Sequence, residues 1–125
     1  LNRIWKGGDV WLVEGIFDLA LTHAIPDKDV ALSCGGAKIT PNQVSFIQRF
    51  LDPQAMVHVA FDMDETGRKM AQGYQHPDTG RRVWGVVERL EREGIRCRDV
   101  QYRGKDPGDV WERTGTSGLQ RAFRL

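Results

Sequence analysis

The segment FDMDETG, residues 61–67, follows directly on the apolar run AMVHVA, residues 55–60. That run is rich in β-branched and apolar residues and predicts a buried strand. Asp62 and Asp64 therefore leave the carboxyl end of a strand, where open α/β sheets bind ligands, and Gly67 is predicted to allow a tight turn into a helix. Carboxylates this close repel one another unless a proton or a cation lies between them. Because Mg²⁺ prefers carboxylates and substrate phosphates, the segment predicts metal-dependent phosphate chemistry.

A second acidic element follows another apolar segment. Val10–Val13 is predicted to form a strand that ends in Glu14-Gly15, and Asp18 comes four residues after Glu14. If a helix begins near residue 16, Asp18 lies in its first turn and faces the same edge of the sheet. A third acidic element, GKDPGD at residues 104–109, comes after the last predicted strand. We expect the acidic side chains of the first two elements to converge: Glu14, Asp18, Asp62 and Asp64.

The rest of the chain alternates between predicted strands and predicted helices. The strands are Val10–Val13, Asp29–Ser33, Met56–Phe61 and Ile95–Tyr102. The helices are Ile16 to about His23, Pro41–Phe50 with Thr40 as N-cap, Glu65–Gln72 and Val83–Glu93, with Asp109–Arg113 as a further helical segment. The polar segment Gly73–Arg82 is predicted to be a loop, and Gly115–Leu125 a tail that is weakly ordered or docks on neighbouring domains. Alternating βα units imply a mostly parallel sheet of about four strands flanked by helices.

The length and the charge distribution are those of a globular domain. The 125 residues suffice for one domain with its own core. The formal charge is +1, but residues 1–62 carry 5 Lys/Arg and 7 Asp/Glu, whereas residues 63–125 carry 13 and 10. A basic excess of this kind suits a nucleic-acid backbone, although the alternation of Glu88, Glu91 and Glu93 with arginines is typical of a solvated helix face.

The cysteines and the hydropathy indicate where the chain works. Cys34 and Cys97 lie far apart in the sequence and form no CxxC pair, so we predict reduced thiols in a cytoplasmic protein. No apolar stretch reaches the roughly 18 residues that span a bilayer, and there is no signal-peptide pattern, so no membrane partner is expected. The chain begins with Leu1, which is expected of a domain excised from a larger protein.

The acidic elements, taken in order, resemble those of the Toprim domain, and most closely the catalytic Toprim region of bacterial and phage DnaG-type DNA primases. Glu14-Gly15-Ile16-Phe17-Asp18 resembles the EGxxD element of these primases, and Ser33-Cys34-Gly35-Gly36 resembles their glycine turn. The segment from Asp62 to Ala71 resembles their DGDxAGxxAA element, and Lys105-Asp106-Pro107 resembles their DPD element. A single DxD is weak, but four elements in this order at strand ends form a specific signal that spans Val10 to Arg113.

The resemblance implies a fold, an activity and partners. It implies a Rossmann-like Toprim fold in which residues 10–113 form the catalytic domain, between a lead-in of residues 1–9 and a tail of residues 114–125. The implied activity is RNA primer synthesis by metal-dependent nucleotidyl transfer with two Mg²⁺ or Mn²⁺ ions. The implied partners are a single-stranded DNA template, nucleoside triphosphates and a replicative helicase or fused domains.

The resemblance also implies roles for particular residues. Glu14 is expected to bind metal or to act as general base on a 3′-hydroxyl, and Asp62 and Asp64 are expected to be catalytic metal ligands. Asp18 and Asp106 are expected to be further ligands. Groups expected at the phosphates or the nucleotide are Gly15, Gly35, Gly36, Lys38, Gly67 and Lys69.

Departures from the primase pattern keep other interpretations open. Gly108 stands where these primases have the second aspartate of DPD, with Asp109 adjacent, and Gly36 replaces their usual threonine. Asp62 alone is compatible with a helix N-cap. Asp18 is compatible with a first-turn residue that interacts favourably with the helix dipole, and Asp106 is compatible with a turn. The alternative functions are DNA cleavage of the Toprim nuclease or topoisomerase type, and a non-catalytic Toprim module that binds nucleic acid.

Overall fold

The structure is a computed structural model that describes residues 8–15, 18, 21, 24–34 and 39–124. Its strands are β1 Val10–Val13, β2 Val30–Ser33, β3 Val57–Val59, β4 Gly73–Gln75, β5 Arg82–Trp84 and β6 Cys97–Asp99. Its helices are α1 Pro41–Phe50, α2 Glu65–Gln72, α3 Val86–Arg92 and α4 Pro107–Phe123. The predicted helix from Ile16 to about His23 lies largely outside the described residues. Among the described residues, no helix is both long and apolar enough to cross a membrane.

The centre of the fold is a parallel sheet in the order β2-β1-β3-β6. Strand β1 is buried along its whole length, and its side chains alternate between the two faces of the sheet. Val10 and Leu12 pack with residues of α1, α2 and α3, whereas Trp11 and Val13 pack with residues of α4. Of the helices that the structure describes, three therefore cover one face of the sheet, and α4 covers the other together with Leu21, Ala24 and Ile25. The predicted α/β, Rossmann-like arrangement is confirmed.

The start of α1 is where the sequence places it. Thr40 is the N-cap, and its hydroxyl accepts a hydrogen bond from the Gln43 amide at 3.1 Å. The Gln43 side chain in turn accepts from the Thr40 amide at 2.8 Å, which completes a capping box. Pro41 occupies the first turn of the helix, where its missing N–H leaves no donor unsatisfied.

The prediction that Gly73–Arg82 is a loop is wrong at both ends and holds for residues 76–81. Strands β4 and β5 pair antiparallel, with Gly73 opposite Trp84, and form a hairpin at the edge of the domain. Helix α3 consequently begins at Val86 rather than Val83, and its N-cap is Gly85. The glycines permit this because Gly73 has φ 82° and because a Cβ at Gly85 would collide with the backbone of Gly73.

The prediction that Gly115–Leu125 is weakly ordered is also wrong for its described part. Helix α4 continues to Phe123 after a break at Gly115, which has φ 71° and ψ −172°. Leu119 and Phe123 are one helical turn apart and are buried against the core residues Trp11 and Tyr102. The break interrupts the helical period in the sequence, so the apolar face was not recognised. The division of the chain at residue 113, which falls inside α4, stays a prediction.

Truncation of Leu119 tests this packing. Because its side chain is fully buried, Leu119→Ala should lower the free energy of unfolding by about 2–5 kcal/mol. Glu112→Ala, on the exposed side of α4, should change it by less than about 0.5 kcal/mol. Urea denaturation followed by circular dichroism measures both, and equal stability of the two variants would contradict the packed position of the helix.

Candidate metal centre

Two acidic side chains meet at the carboxyl ends of β1 and β3. The register of these strands pairs Leu12 with Val59, so the residues that follow them emerge side by side. The backbone N–H of Asp62 donates a hydrogen bond to Glu14 Oε1 at 3.1 Å, although 48 residues separate the two in sequence. The sheet thus brings together the first two acidic elements, as the sequence indicates.

Three aspartates form a compact group beside this pair. Asp18, Asp62 and Asp106 each offer a carboxylate oxygen, and these oxygens lie within 4.8 Å of one another. Asp18 is buried and accepts hydrogen bonds from the backbone N–H groups of Gly15 at 3.2 Å and Gly108 at 3.3 Å. In contrast, Asp62 Oδ1 is buried and has no hydrogen-bond partner among the described residues.

The electrostatics of this group fit a divalent cation. Burial, followed by repulsion from Glu14 and Asp18, raises the pKa of Asp62 to about 7. Burial also raises the pKa values of Glu14 and Asp18. A hard cation that takes oxygen ligands would bind the buried acceptor that has no donor. It would also neutralise the repulsion among the three carboxylates. Asp18, Asp62 and Asp106 are therefore the residues best placed to hold one.

Asp64 has a different position from the one the sequence suggests. It is the N-cap of α2, and its Oδ1 accepts a hydrogen bond from the Gly67 N–H at 2.7 Å. The N-cap interpretation that the sequence leaves open for Asp62 therefore describes Asp64. Among the described residues, neither Asp64 nor Glu14 belongs to the group of three, but both lie close enough to raise the pKa of Asp62.

The third acidic element contributes one carboxylate to the group. Asp106 is the N-cap of α4, and its Oδ1 accepts from the Asp109 N–H at 2.7 Å. The Asp109 carboxylate pairs with Arg113, one turn further along the helix, at 2.9 Å. Asp109 does not take the place of an aspartate at position 108, because its charge is directed to that arginine. Gly108 contributes its backbone N–H to Asp18 instead.

The predicted phosphate-binding groups are only partly available. Gly67 lies inside α2, so the predicted tight turn is wrong; glycine is required because a Cβ would lie 2.8 Å from Glu14 Oε1 and even closer to the Asp62 carbonyl. The N–H groups of Gly67 and Gly15 are already bonded to Asp64 and Asp18. Lys69 pairs with Glu65 at 3.1 Å. The other predicted groups, Gly35, Gly36 and Lys38, lie outside the described residues.

Arg68 contributes to the site through a pairing that the sequence does not indicate. Its guanidinium makes two hydrogen bonds to Asp99 on β6, at 2.8 and 2.7 Å, and its Nε donates to the Asp62 carbonyl at 3.3 Å. It thereby ties α2 to the ends of two neighbouring strands. Its position within the acidic element indicates that it lies near the site. Its partner Asp99 cannot be read from the sequence, because the two meet only through the pairing of β3 with β6.

Tyr102 lies beside the site but is poorly suited to act as a nucleophile. Its hydroxyl donates to the Phe61 carbonyl at 3.0 Å, and burial together with the charge of Asp62 raises its pKa. A tyrosine nucleophile of the topoisomerase type needs the opposite environment, because the phenolate must be accessible.

Comparisons with known proteins agree with this architecture. Among solved structures, the chain is similar to the primase fragment of the bacteriophage T7 primase-helicase protein, with a TM-score of 0.58 and 21% sequence identity. The similarity covers 95% of this chain and 45% of that one, so it shows the fold, and this chain spans less than half of that fragment. No curated protein matches the chain. A family model described as Toprim-like matches residues 11–111, and the chain therefore belongs to the Toprim-like family.

Proposed function

We propose that this chain is the Toprim domain of a DNA primase that makes RNA primers on single-stranded DNA by metal-dependent nucleotidyl transfer. The observation that carries the proposal is Asp62 Oδ1, a buried acceptor without a donor, between Asp18 and Asp106. Its position at the strand ends of a Toprim-like chain supports it further. The likeness in fold to a primase fragment favours primer synthesis over other phosphate chemistry.

In this proposal Asp18, Asp62 and Asp106 hold Mg²⁺ or Mn²⁺. Glu14 and Asp64 flank them and would complete the site for a second ion. When bound, such ions stabilise the negative charge on the reacting phosphate and make the attacking hydroxyl more acidic. The chain itself positions the carboxylates, through the Gly15 and Gly108 amides that orient Asp18.

Glu14 is proposed as the proton acceptor for the 3′-hydroxyl. The Asp62 N–H holds its Oε1, which fixes the direction of the carboxylate. Burial raises the pKa of Glu14, and a carboxylate with a raised pKa is a stronger base near neutral pH. Acid–base catalysis of this kind contributes roughly 10²–10⁴-fold to a rate.

Full primer synthesis requires more than this chain supplies. The chain corresponds to 45% of the primase fragment, so we propose that a template-binding region and a replicative helicase belong to the same protein or act with it. Nucleoside triphosphates would enter at the carboxyl ends of the strands, where Gly35, Gly36 and Lys38 remain the proposed phosphate contacts. A cytoplasmic location remains a prediction from the sequence.

A second candidate function is a non-catalytic Toprim module that binds metal and nucleic acid. It is favoured by the pairing of Asp109 with Arg113, which leaves the third acidic element with Asp106 alone in the group of three. Metal binding without turnover would support this alternative. DNA cleavage of the nuclease type would use the same carboxylates, and a product assay on single-stranded DNA distinguishes it from primer synthesis.

Metal binding should depend more strongly on Asp62 than on Asp64. At a Mg²⁺ or Mn²⁺ concentration a hundredfold above Kd, the wild type should gain about 2.7 kcal/mol of stability, measured as a thermal shift. Asp62→Asn should abolish the shift because it removes a ligand charge. Asp64→Asn is the variant for comparison: asparagine is as good an N-cap as aspartate, so a change in its metal shift reports on metal binding and not on loss of the cap.

The comparison separates two roles of Asp64. An unchanged metal shift in Asp64→Asn assigns Asp64 to the cap, and a lost shift assigns it to the metal. A folded wild type that shows no shift with either metal, also with a nucleoside triphosphate present, would contradict the metal centre itself.

Stability without metal should depend on pH through Asp62. Its pKa is about 7 in the fold and 3.8 as a free side chain, so its stabilising contribution is complete below about pH 3.8 and is lost as the pH rises through 7. With chelator present, the melting temperature of Asp62→Asn should therefore exceed that of the wild type by a margin that grows from pH 5 to pH 8. A constant margin would show that Asp62 does not titrate in this range.

Primer synthesis should require the acidic cluster and nucleotides. We expect the chain, joined to its neighbouring domains, to form labelled RNA on single-stranded DNA with Mn²⁺ and nucleoside triphosphates, and Glu14→Gln to lower the rate by roughly 10²–10⁴-fold. Shortening of the DNA without nucleotides would instead identify a nuclease. Metal binding without either product would favour the non-catalytic module.

A further inference from the structure

A groove lies between α2, the β4–β5 hairpin and α3. Three adjoining cavities of about 340, 340 and 360 Å³ form it, and Trp84 and Arg89 line all three. Tyr74 and Lys69 line the first cavity. We call this surface the hairpin groove and define it by Lys69, Tyr74, Arg81, Arg82, Trp84, Arg89 and Arg92. It lies outside the acidic cluster, and the mechanism above does not use it.

The charge of the hairpin groove is strongly positive. Its cavities are lined by five basic residues, Lys69, Arg81, Arg82, Arg89 and Arg92, and within the described part of the chain by one carboxylate, Glu93. Lys69 pairs with Glu65, and Arg82 pairs with Glu88 at 2.6 Å. For Arg81 and Arg89, no described carboxylate lies within ion-pair distance. An ordinary solvated helix face explains the alternation along α3, but not this concentration of cations around one hairpin.

Two aromatic rings lie among these cations. Trp84 is 38% exposed, which is unusual for so large an apolar side chain, and Arg92 lies over its ring at 4.6 Å from the centroid. Tyr74 is half-buried and has the Lys69 ammonium over its ring at 5.4 Å. Accessible rings beside cations are the combination that binds single strands of nucleic acid, because each base stacks on a ring while the phosphates meet basic side chains.

Helix α2 links the hairpin groove to the metal centre. The N-cap of this helix is Asp64, and Gly67 in its first turn lies against Glu14 and the Asp62 carbonyl. Thr66 and Lys69, from the same two turns, line the first cavity of the groove. A strand that lies in the groove would therefore run along α2 toward the acidic cluster.

We propose that the hairpin groove binds single-stranded DNA, with bases against Trp84 and Tyr74 and phosphates at Arg81 and Arg89. This proposal rests on the proposed function, because it supplies the path by which a template reaches the metal centre. Cations attract any nucleic acid, but the exposed ring of Trp84, with half-buried Tyr74 near it, favours unpaired bases whose faces are free to stack. The groove therefore selects a single strand over a duplex.

The test is fluorescence anisotropy of a labelled oligothymidylate of about 12 nucleotides, within the usual range of single-strand sites, in chelator so that the metal centre is silent. Trp84→Ala should weaken binding about tenfold, and the matched control Trp111→Ala, which removes a ring of 39% exposure, should not.

Arg89→Ala should reduce the slope of log K against log salt by about 0.7, the value for one phosphate contact. Arg121→Ala, on α4 across the sheet, should leave the slope unchanged.

Rescue separates stacking from a structural effect. Trp84→Phe keeps a ring and should retain most of the affinity, and circular dichroism should show that all variants are folded. Equal losses in Trp84→Ala and Trp111→Ala, or equal affinity for duplex and single strand, would overturn the proposal. If the wild type does not bind the oligonucleotide, the groove proposal fails, while the metal-dependent thermal shift and the primer-synthesis assay still test the proposed function separately.

Discussion

The parallel pairing of β1 with β3 is the constraint on which the site depends. Val10, Val13, Val57 and Val59 are all fully buried, and burial of a valine side chain contributes about 1.5–3 kcal/mol. This apolar packing fixes the register and carries the carboxylates that follow each strand to the same edge. Like charges would separate if they were free to move. The core holds them together, and burial, with their mutual repulsion as a further cause, raises the pKa values of Glu14, Asp18 and Asp62.

The approach of α2 to the strand ends is a second constraint. Gly67 brings the helix into contact with the Asp62 carbonyl and the Glu14 carboxylate, where any side chain would collide. Arg68, the next residue, fastens the same turn to Asp99 on β6. The first turn of α2 therefore belongs to the acidic site, and the direction of the whole helix, including Lys69, is set by these contacts.

The sequence predicts the strand ends and the crowding of carboxylates but not the role of each one. An aspartate that follows a strand and precedes a helix meets the same local pattern whether it caps the helix or faces the sheet edge. The structure distinguishes them by direction, because Asp64 bonds to the helix N–H of Gly67 whereas Asp62 turns to Asp18 and Asp106. That choice depends on contacts between distant segments, which no local pattern contains.

Two other parts of the fold were missed for a related reason. The β4–β5 hairpin has too few apolar residues to show alternation, and its pairing depends on Gly73 and Gly85 lying against each other. The second half of α4 has an apolar face, but Gly115 interrupts its period. In both segments the glycines that permit the tertiary structure also interrupt the apolar periodicity from which strands and helices are predicted.

The departure at Gly108 has an electrostatic explanation. Its N–H donates to Asp18, a buried carboxylate that already faces Asp62 and Asp106, and a donor at this point offsets part of their repulsion. An aspartate side chain at position 108 would add a further negative charge to the first turn of α4, where the positive end of the helix dipole favours it but the neighbouring carboxylates do not. With glycine, the group holds one carboxylate fewer than an aspartate at position 108 would give it, and the adjacent Asp109 pairs with Arg113 instead. Three carboxylates repel one another less than four would, so the fold bears a smaller electrostatic cost in holding them together.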